Sequence, residues 1–230
     1  NFNSFNKNEQ HAINVLQLWD GSNTLDAVAP TIYNKFVYVY LKNTFQDEMG
    51  KALYQQFEDT HMIKRAVADQ IFSTEIIWWD DINTPAIIET KSNILSKSIT
   101  ETVSELEEQL GEDINQWNWD KVHILEHQHP LGSIEALREI FNVGPFSVNG
   151  ASEVINNLAY KRDETGIYNV KAGPSTRRII DFNDIENSIS ILPTGQSGNQ
   201  FSKHYKDQAV MYNTGKFRKM KMNKDEIINT

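Results

Sequence analysis

The sequence predicts an α+β fold in which a helical region is followed by the strands of a mixed sheet. In the first half of the chain apolar residues recur at helical spacing, and in the last third β-branched residues lie between turn-forming ones. No internal repeat or low-complexity linker divides the 230 residues. We therefore expect a mainly helical region over 1–135 and a second region over 136–230, in which C-terminal strands and a helix complete the sheet.

Two helices are predicted in the first 50 residues. Apolar residues over 12–19 recur at helical spacing, and Asp20-Gly21 should end that helix. The second helix should begin near Asp26, a good N-cap residue, with Pro30 in its first turn. The broad apolar stripe over 28–40 is typical of a helix that packs in a core.

A further helix is predicted from Ser98 and Glu101, which have the spacing of a capping box, and Gly111 should end it. Its acidic residues are interpreted as a solvated surface. Shorter helical segments are expected over 51–72.

The last third carries the strand signals. Residues 177–182 and 188–192 have the β-branched content and turn-rich flanks of strands. A helix over 202–212, closed by Gly215, and a final strand over 217–222 are predicted to follow.

Composition excludes several classes of protein. The chain has 22 Lys and Arg against 31 Asp and Glu, a formal net charge of −9, which argues against a nucleic-acid partner. With no cysteine it has no disulfide or thiolate chemistry, and no run of about 18 apolar residues occurs that could span a membrane. A local basic patch near the end is interpreted as a solvated edge strand or tail; its members are Lys216, Arg218, Lys219, Lys221 and Lys224.

Three closely spaced histidines are the first candidates for chemistry. On a helix, His123 and His127 would share a face, as metal ligands often do. Glu126 is not placed as in the His-Glu-x-x-His motif, and Pro130 would end a helix. A structural role for these histidines and His129 is the preferred interpretation, and a metal or catalytic site is the alternative.

Two other motifs admit a functional interpretation. Ser197, within Gly195-Gln196-Ser197-Gly198, could be a nucleophile, but the glycines are not placed as in Gly-x-Ser-x-Gly, so a glycine-rich turn is favoured. Trp78-Trp79 with Asp80-Asp81 could line a ligand site, although core packing is the simpler interpretation.

The order of short motifs along the chain resembles the C-terminal part of the β-chain of the penicillin amidase (penicillin acylase) family. Near the start stand Trp19, Asp20 and Gly21, and further on Trp117-Asn118-Trp119 and His127-Gln128-His129-Pro130-Leu131-Gly132 follow. The family-like motif residues of the middle and end are His123, His127, His129, Gly173, Pro174, Ser175, Arg177, Gly195, Gln196, Ser197, Gly198, His204, Tyr205, Asp207 and Gln208. The resemblance runs in order over nearly the whole chain.

The resemblance implies an N-terminal-nucleophile hydrolase with an αββα sandwich. In such enzymes a precursor cuts itself into an α- and a β-chain, and the new N-terminal Ser attacks an amide while its own α-amine acts as the base. The substrates implied are acylated small molecules such as β-lactam antibiotics or acyl-homoserine lactones. A bacterial periplasmic or secreted location is also implied.

The sequence departs from that family pattern at its start, because Asn1 is not a nucleophile. We therefore expect a fragment that is inactive alone, carries no catalytic residue, metal or cofactor, and needs an α-chain and the upstream β-chain as partners. Calcium is possible in the full enzyme. The matching motifs are expected to be architectural, and the fragment alone could dimerise to cover its sheet. The alternatives are a non-catalytic structural or partner-binding module that shares only the fold, and a histidine-ligated metal hydrolase.

Overall fold

The computed structural model describes residues 2–60 and 77–229, together with Ala68 and Ser73. The chain forms two compact units, one of residues 1–122 with 161–168 and one of residues 123–160 with 169–230. The first, the helical unit, contains the long helices, and the second, the strand unit, contains nearly all of the strand residues. The predicted α+β class, with a helical region followed by sheet strands, is confirmed. None of the described helices is long and apolar enough to cross a membrane.

Among the described residues, three long helices build the helical unit. They are α1 (Lys7–Gln17), α2 (Ala29–Glu58) and α3 (Lys91–Leu110). A reciprocal capping box begins α1: the Asn6 side chain accepts from the Glu9 amide at 2.9 Å, and the Glu9 carboxylate accepts from the Asn6 amide at 2.7 Å. This helix ends at the cap residue Leu18, close to the predicted stop.

Helix α2 begins three residues later than predicted. Asp26 lies in a turn, and the flanking carbonyls of Leu25 and Ala27 accept from the amides of Asp120 and Trp119 at 3.0 and 2.8 Å. Because those carbonyls bond to a distant segment, they are not available to a helical turn. Pro30 lies in the first turn, as expected.

Gly50 interrupts α2 with a φ of 68° and a ψ of 158°. A positive φ of this kind suits glycine, and the helix changes direction there. The helical segments predicted over 51–72 are present as far as Glu58. Residues 61–72, apart from Ala68, lie outside the described residues.

The predicted start of α3 is wrong. The capping box that begins this helix is formed by Thr90 and Asn93, eight residues earlier than Ser98. Ser98 is fully buried inside the helix, and its hydroxyl accepts from the Asn43 side chain of α2 at 3.2 Å. A serine is tolerated at this interior position because a neighbouring helix supplies its hydrogen-bond partner.

Apolar packing between α1, α2 and α3 forms the main core of the helical unit. That cluster consists of Ala12, Ile32, Val103, Leu106, Ile114 and Trp117. The apolar stripe of α2 is therefore core, as predicted. Trp79 packs with Tyr40 and Ile94 in a second cluster, and Trp78 packs against a third, so core packing is confirmed for this pair.

In the part of the chain that the structure describes, seven short strands form two sheets. They are β1 (His123–His127), β2 (Val143–Ser147), β3 (Ala159–Tyr160), β4 (Tyr168–Ala172), β5 (Arg177–Ile179), β6 (Ile189–Ile191) and β7 (Arg218–Lys219). The first sheet has the order β2-β1-β4-β3 and the second the order β5-β6-β7. The pairs β1–β2, β3–β4, β5–β6 and β6–β7 are antiparallel. Three short helices accompany them: α4 (Arg138–Phe141), α5 (Ala209–Asn213) and α6 (Lys224–Ile228).

The three strands predicted after residue 176 are present but shorter, and the helix predicted over 202–212 is reduced to α5. Strand β5 ends early because the Asp181 carboxylate accepts from the Asn183 amide at 2.9 Å, a local turn that competes with the sheet. The His204 carbonyl accepts from the amides of Gln196 and Ser197 at 3.0 and 3.1 Å. That carbonyl is therefore unavailable to a helical turn, and the segment before α5 is built of turns.

Candidate functional site

A cleft of about 590 Å³ opens in the strand unit. Its walls come from β1, from β4 and the Gly173-Pro174-Ser175 segment that follows it, and from Tyr212 of α5. Four of the family-like residues, His127, Gly173, Pro174 and Ser175, therefore line one surface. The cleft is the candidate functional site.

Tyr212 is the buried aromatic residue that supports the floor of this cleft. Its side chain is 1% exposed, and its hydroxyl donates to the Pro174 carbonyl at 2.8 Å. The Arg177 guanidinium carbon lies 3.7 Å from the centre of the ring, a close cation–π contact. Arg177 also donates to the Tyr212 carbonyl and to the Asn156 side chain, both at 2.7 Å. One buried aromatic ring thus holds the loop after β4, strand β5 and helix α5 together.

Gly173 lies close to the side chains beneath the cleft. A Cβ at this position would lie 2.7 Å from a methyl carbon of Leu158 and 3.8 Å from the Tyr212 hydroxyl. The glycine lets the chain pass close to the core beneath the cleft.

His127 lies in the cleft wall and meets Tyr212 edge to face, with ring centroids 6.3 Å apart. Within the described part of the chain, its buried Nε2 has no hydrogen-bond partner. Burial lowers the pKa of His127, because the charged imidazolium loses its hydration. The ring is therefore neutral at pH 7.

Glu126 and Arg138 form an ion pair beside His127. The Arg138 Nε and Nη2 atoms donate to the two Glu126 carboxylate oxygens, each at 3.0 Å. This is the two-pronged geometry that arginine makes with carboxylates. Both carboxylate oxygens of Glu126 thus bond to Arg138. Glu126 is therefore not placed to act as the general base of a metal site.

The other two histidines have separate environments. His123 is fully buried, with Nδ1 2.8 Å from the Val148 carbonyl and Nε2 3.4 Å from the Leu158 carbonyl. Burial lowers its pKa, and the hydrogen bonds to those carbonyls oppose the shift. His129 accepts from the Leu131 amide at 3.1 Å and stacks on Phe141.

His123 and His127 lie on strand β1, so the helical arrangement considered for a metal site is wrong. Across the described ranges, no group of three histidine, aspartate or glutamate side chains is placed to hold a metal ion.

The Gly195-Gln196-Ser197-Gly198 segment is a turn. A Cβ on Gly195 would lie 2.1 Å from the His204 carbonyl oxygen, so the turn packs directly on the chain before α5. The Ser197 hydroxyl accepts from the Asn199 amide at 3.1 Å. No histidine contact to this hydroxyl is present among the described residues, so it lacks the base that a serine nucleophile needs.

The segment before α5 is held by its own side chains. His204 Nδ1 lies 3.1 Å from an Asp207 carboxylate oxygen, and the Tyr205 hydroxyl donates to the Phe141 carbonyl. Gln208 Oε1 accepts from the Leu192 amide at 3.1 Å. The Gln208 contact ties this segment to the end of strand β6, and the Tyr205 contact ties it to helix α4.

Trp19-Asp20-Gly21 belongs to the helical unit and closes α1. The Trp19 indole donates to the Ser22 carbonyl at 2.7 Å, and Asp20 accepts from the Ser22 amide at 2.8 Å. Hydrogen bonds from the Ser22 hydroxyl and from the Ser22 amide lower the pKa of Asp20. Gly21 has a φ of 86°, which glycine adopts without steric cost.

Several residues that shape the site were missed by sequence reasoning. Tyr212 was expected only as a helix end, and no spacing rule links Asn156 or Arg138 to the cleft. Asn142 lies just before β2, and its side chain accepts from the His129 amide at 3.0 Å. Gly132 makes room for this side chain, because a Cβ at position 132 would overlap the Asn142 amide oxygen.

The side chains of the cleft can bind a polar group and can support the strands around it. A neutral imidazole, an ion pair and backbone polar groups can orient a polar segment placed in the cleft. No hydroxyl in the described part of its lining bonds to a histidine, so hydrolysis there would need a nucleophile from elsewhere.

Comparison with known proteins gives a consistent family. A family model described as penicillin amidase matches residues 2–229. The acyl-homoserine lactone acylase QuiP of Pseudomonas aeruginosa is 28% identical over 225 residues, which cover 90% of this chain and 26% of that protein. The protein of the same name from Pseudomonas fluorescens is 30% identical over 195 residues, covering 83% of this chain and 23% of that protein.

Among solved structures, a thermostable penicillin G acylase from Alcaligenes faecalis has a TM-score of 0.45 and 13% identity, with all of this chain and 43% of that chain covered. The chain spans about a quarter of the length of the curated relatives that it matches.

Proposed function

Because this chain belongs to the penicillin amidase family, we propose that it is the C-terminal part of the β-chain of an amidohydrolase. The enzyme cleaves the amide bond of an acylated small molecule. The observation that carries the proposal is the match of the family model over residues 2–229, nearly the whole chain.

The proposed substrate class is the acyl-homoserine lactones. Six curated relatives bear the name acyl-homoserine lactone acylase, with identities of 25–30%. The side-chain amide of a β-lactam antibiotic is the second candidate, in line with the description of the family model.

The proposed chemistry is attack by an N-terminal serine of the β-chain, with its own α-amine as base and an acyl-enzyme as intermediate. The nucleophile and the oxyanion donors belong to parts of the enzyme outside this chain. The chain contributes architecture: Arg177 and Tyr212 clamp the floor of the cleft, and Gly195 seats the last turn.

Processing, location and partners belong to the same proposal. The full protein cuts itself into two chains and works in the bacterial periplasm or outside the cell. Any calcium that it binds is held by residues outside this chain. This chain is inactive without its partner chains.

A non-catalytic, partner-binding protein is the alternative. It is favoured by one observation: the described residues of the cleft bring no nucleophile together with a base. Under this alternative the full-length protein would stay uncut and would turn over no amide.

The test is an activity assay on the full-length gene product. It is incubated with a series of N-acyl-homoserine lactones and with penicillin G, and the released amine and carboxylic acid are quantified by mass spectrometry. We expect equal amounts of both products from at least one lactone and none from the isolated chain. Absence of products from the whole panel, with a protein that has cut itself, would contradict the proposed substrates.

A further inference from the structure

A small cavity of about 210 Å³ lies on the second sheet of the strand unit, apart from the cleft. Arg178, Ser190 and Arg218 line it, one from each strand of the sheet. Arg178 lies directly opposite Ser190, and Ser190 directly opposite Arg218. Opposite residues of antiparallel strands point to the same face. With strands about 4.8 Å apart, the two arginine Cα atoms stand about 10 Å from each other, with the serine hydroxyl between them.

The side-chain polar groups of Arg178, Ser190 and Arg218 have no partners among the described residues. In the described part of the chain, neither Arg178 nor Arg218 makes an ion pair or side-chain hydrogen bond, and the Ser190 hydroxyl has no partner. Two unpaired arginines side by side repel each other, and they do so in a chain whose net charge is −9. At this end of the sheet, a Glu226 carboxylate oxygen lies 3.9 Å from the Lys219 amine.

A buried amide adds an independent observation. Gln208 lines the same cavity and is only 4% exposed. Its Oε1 is occupied by the Leu192 amide, while its Nε2 donates no hydrogen bond within the described residues. This nitrogen therefore has donor capacity to spare at the cavity. The cavity therefore presents two guanidinium groups, a hydroxyl and an amide NH₂ without an acceptor.

We propose that this cavity binds a phosphate group. Each arginine can donate two parallel hydrogen bonds to an oxyanion. Together with the serine and glutamine donors these exceed what the two oxygens of a carboxylate accept comfortably, whereas a phosphate offers three or four oxygens. The volume is below the ~300–1,000 Å³ of drug-sized sites, so it suits one anionic group whose remainder lies in solvent. Inorganic phosphate and the headgroup of an anionic lipid share this chemistry.

The test is a calorimetric titration of the full-length protein with inorganic phosphate at constant ionic strength set by chloride. We expect saturable binding that weakens at least tenfold in the double variant R178Q/R218Q. The control K216Q/K221Q removes two positive charges of the same basic stretch outside the cavity and should keep its affinity within about twofold. The proposal would be overturned if the binding heat did not saturate with phosphate concentration, or if both double variants bound phosphate with equal affinity.

A second variant separates binding from folding. Gln208→Glu keeps an oxygen that accepts from Leu192 but replaces the amide donor with a negative charge. It should abolish phosphate binding with an unchanged melting temperature, and undiminished binding would overturn the proposal.

The source of the phosphate is distinguished by flotation with vesicles of phosphatidylglycerol and phosphatidylcholine. A lipid headgroup is supported if the protein binds the vesicles, if inorganic phosphate displaces it from them, and if the R178Q/R218Q variant does not bind. Phosphate binding without vesicle binding supports a free phosphate or phosphate ester.

Discussion

Arg177 joins three parts of the strand unit through one guanidinium group. It covers the Tyr212 ring, donates to the Tyr212 carbonyl and reaches the Asn156 side chain. Lysine keeps the charge but has no planar fork, so it cannot make these contacts together.

Arg177→Lys should therefore destabilise the strand unit by about 1.5–3 kcal/mol, the range for hydrogen bonds to charged groups. The measurement is the urea midpoint of the full-length protein. Arg178→Lys, at the next position of the same strand, is the control and should stay within about 0.5 kcal/mol. Equal midpoints for both variants would show that Arg177 does not support the cleft.

Gly195 and Gly198 occupy the same turn but differ in the space around them. A Cβ on Gly195 would lie 2.1 Å from the His204 carbonyl oxygen, whereas a Cβ on Gly198 meets nothing within 4 Å. Gly195→Ala should lower the melting temperature by several degrees, because rigid backbone must move, and Gly198→Ala should change it little. A tolerated alanine at 195 would mean that the turn does not pack on the chain before α5.

His123 should make stability depend on pH. Burial lowers its pKa in the folded state below the ordinary value of 6.5. Below pH 6.5 the unfolded chain takes up a proton that the folded chain refuses, so this contribution to stability is complete above pH 6.5 and is lost as the pH falls.

The measurement is the histidine ring spectrum of the folded protein by nuclear magnetic resonance. The midpoint of the His123 titration should lie below 6.5. In parallel, His123→Gln should flatten the decline of the urea midpoint between pH 7 and 5.5. A His123 ring that titrates at pH 6.5 would contradict its burial.

Residue roles of this kind were only partly predictable from sequence. Glycine spacing correctly indicated a turn at 195–198, because glycine has few other uses in such a pattern. The partners of Arg177 lie 21 and 35 residues away along the chain. No local rule connects them, since a buried tyrosine and an exposed one look alike in sequence.

At the scale of elements, helix α3 shows how a local rule can mislead. Ser98 and Glu101 have the spacing of a capping box, but the start of the helix is fixed by Thr90 and Asn93. The hydroxyl of Ser98 has its donor on α2, a tertiary contact that overrides the local preference.

Thr90→Ala should cost about 0.5–2 kcal/mol, the usual loss for an N-cap residue, measured as the urea midpoint. Thr100→Ala, the same substitution at an exposed position within the helix, should be neutral or slightly stabilising because alanine favours helices. If both substitutions had the same effect, the helix would not begin at Thr90.

The elements were predictable where local chemistry decides them. The end of α1 near Asp20-Gly21 and the position of Pro30 in α2 followed from stop and start signals. The strands at the end of the chain were present but too long in the prediction, and the helix over 202–212 was reduced to α5. There, carbonyls such as that of His204 bond across the turn, a choice made by the tertiary fold.

At the scale of the whole molecule, the chain combines a helical unit, which holds most of the buried apolar residues of the described ranges, with a strand unit that carries the cleft and the basic cavity. The family followed from the order of many weak motifs, which together are specific although each alone is weak. The residues of the cleft other than those motifs needed the fold, because β1, β4 and α5 meet only in three dimensions.

The most direct measurement is the intact mass of the full-length gene product under denaturing conditions, with N-terminal sequencing of its pieces. Two chains, of which the larger begins with serine, threonine or cysteine and contains this sequence, are the predicted result, because the proposed nucleophile is created by self-cleavage. A single uncut chain would contradict the amidohydrolase proposal and would leave the partner-binding alternative in its place.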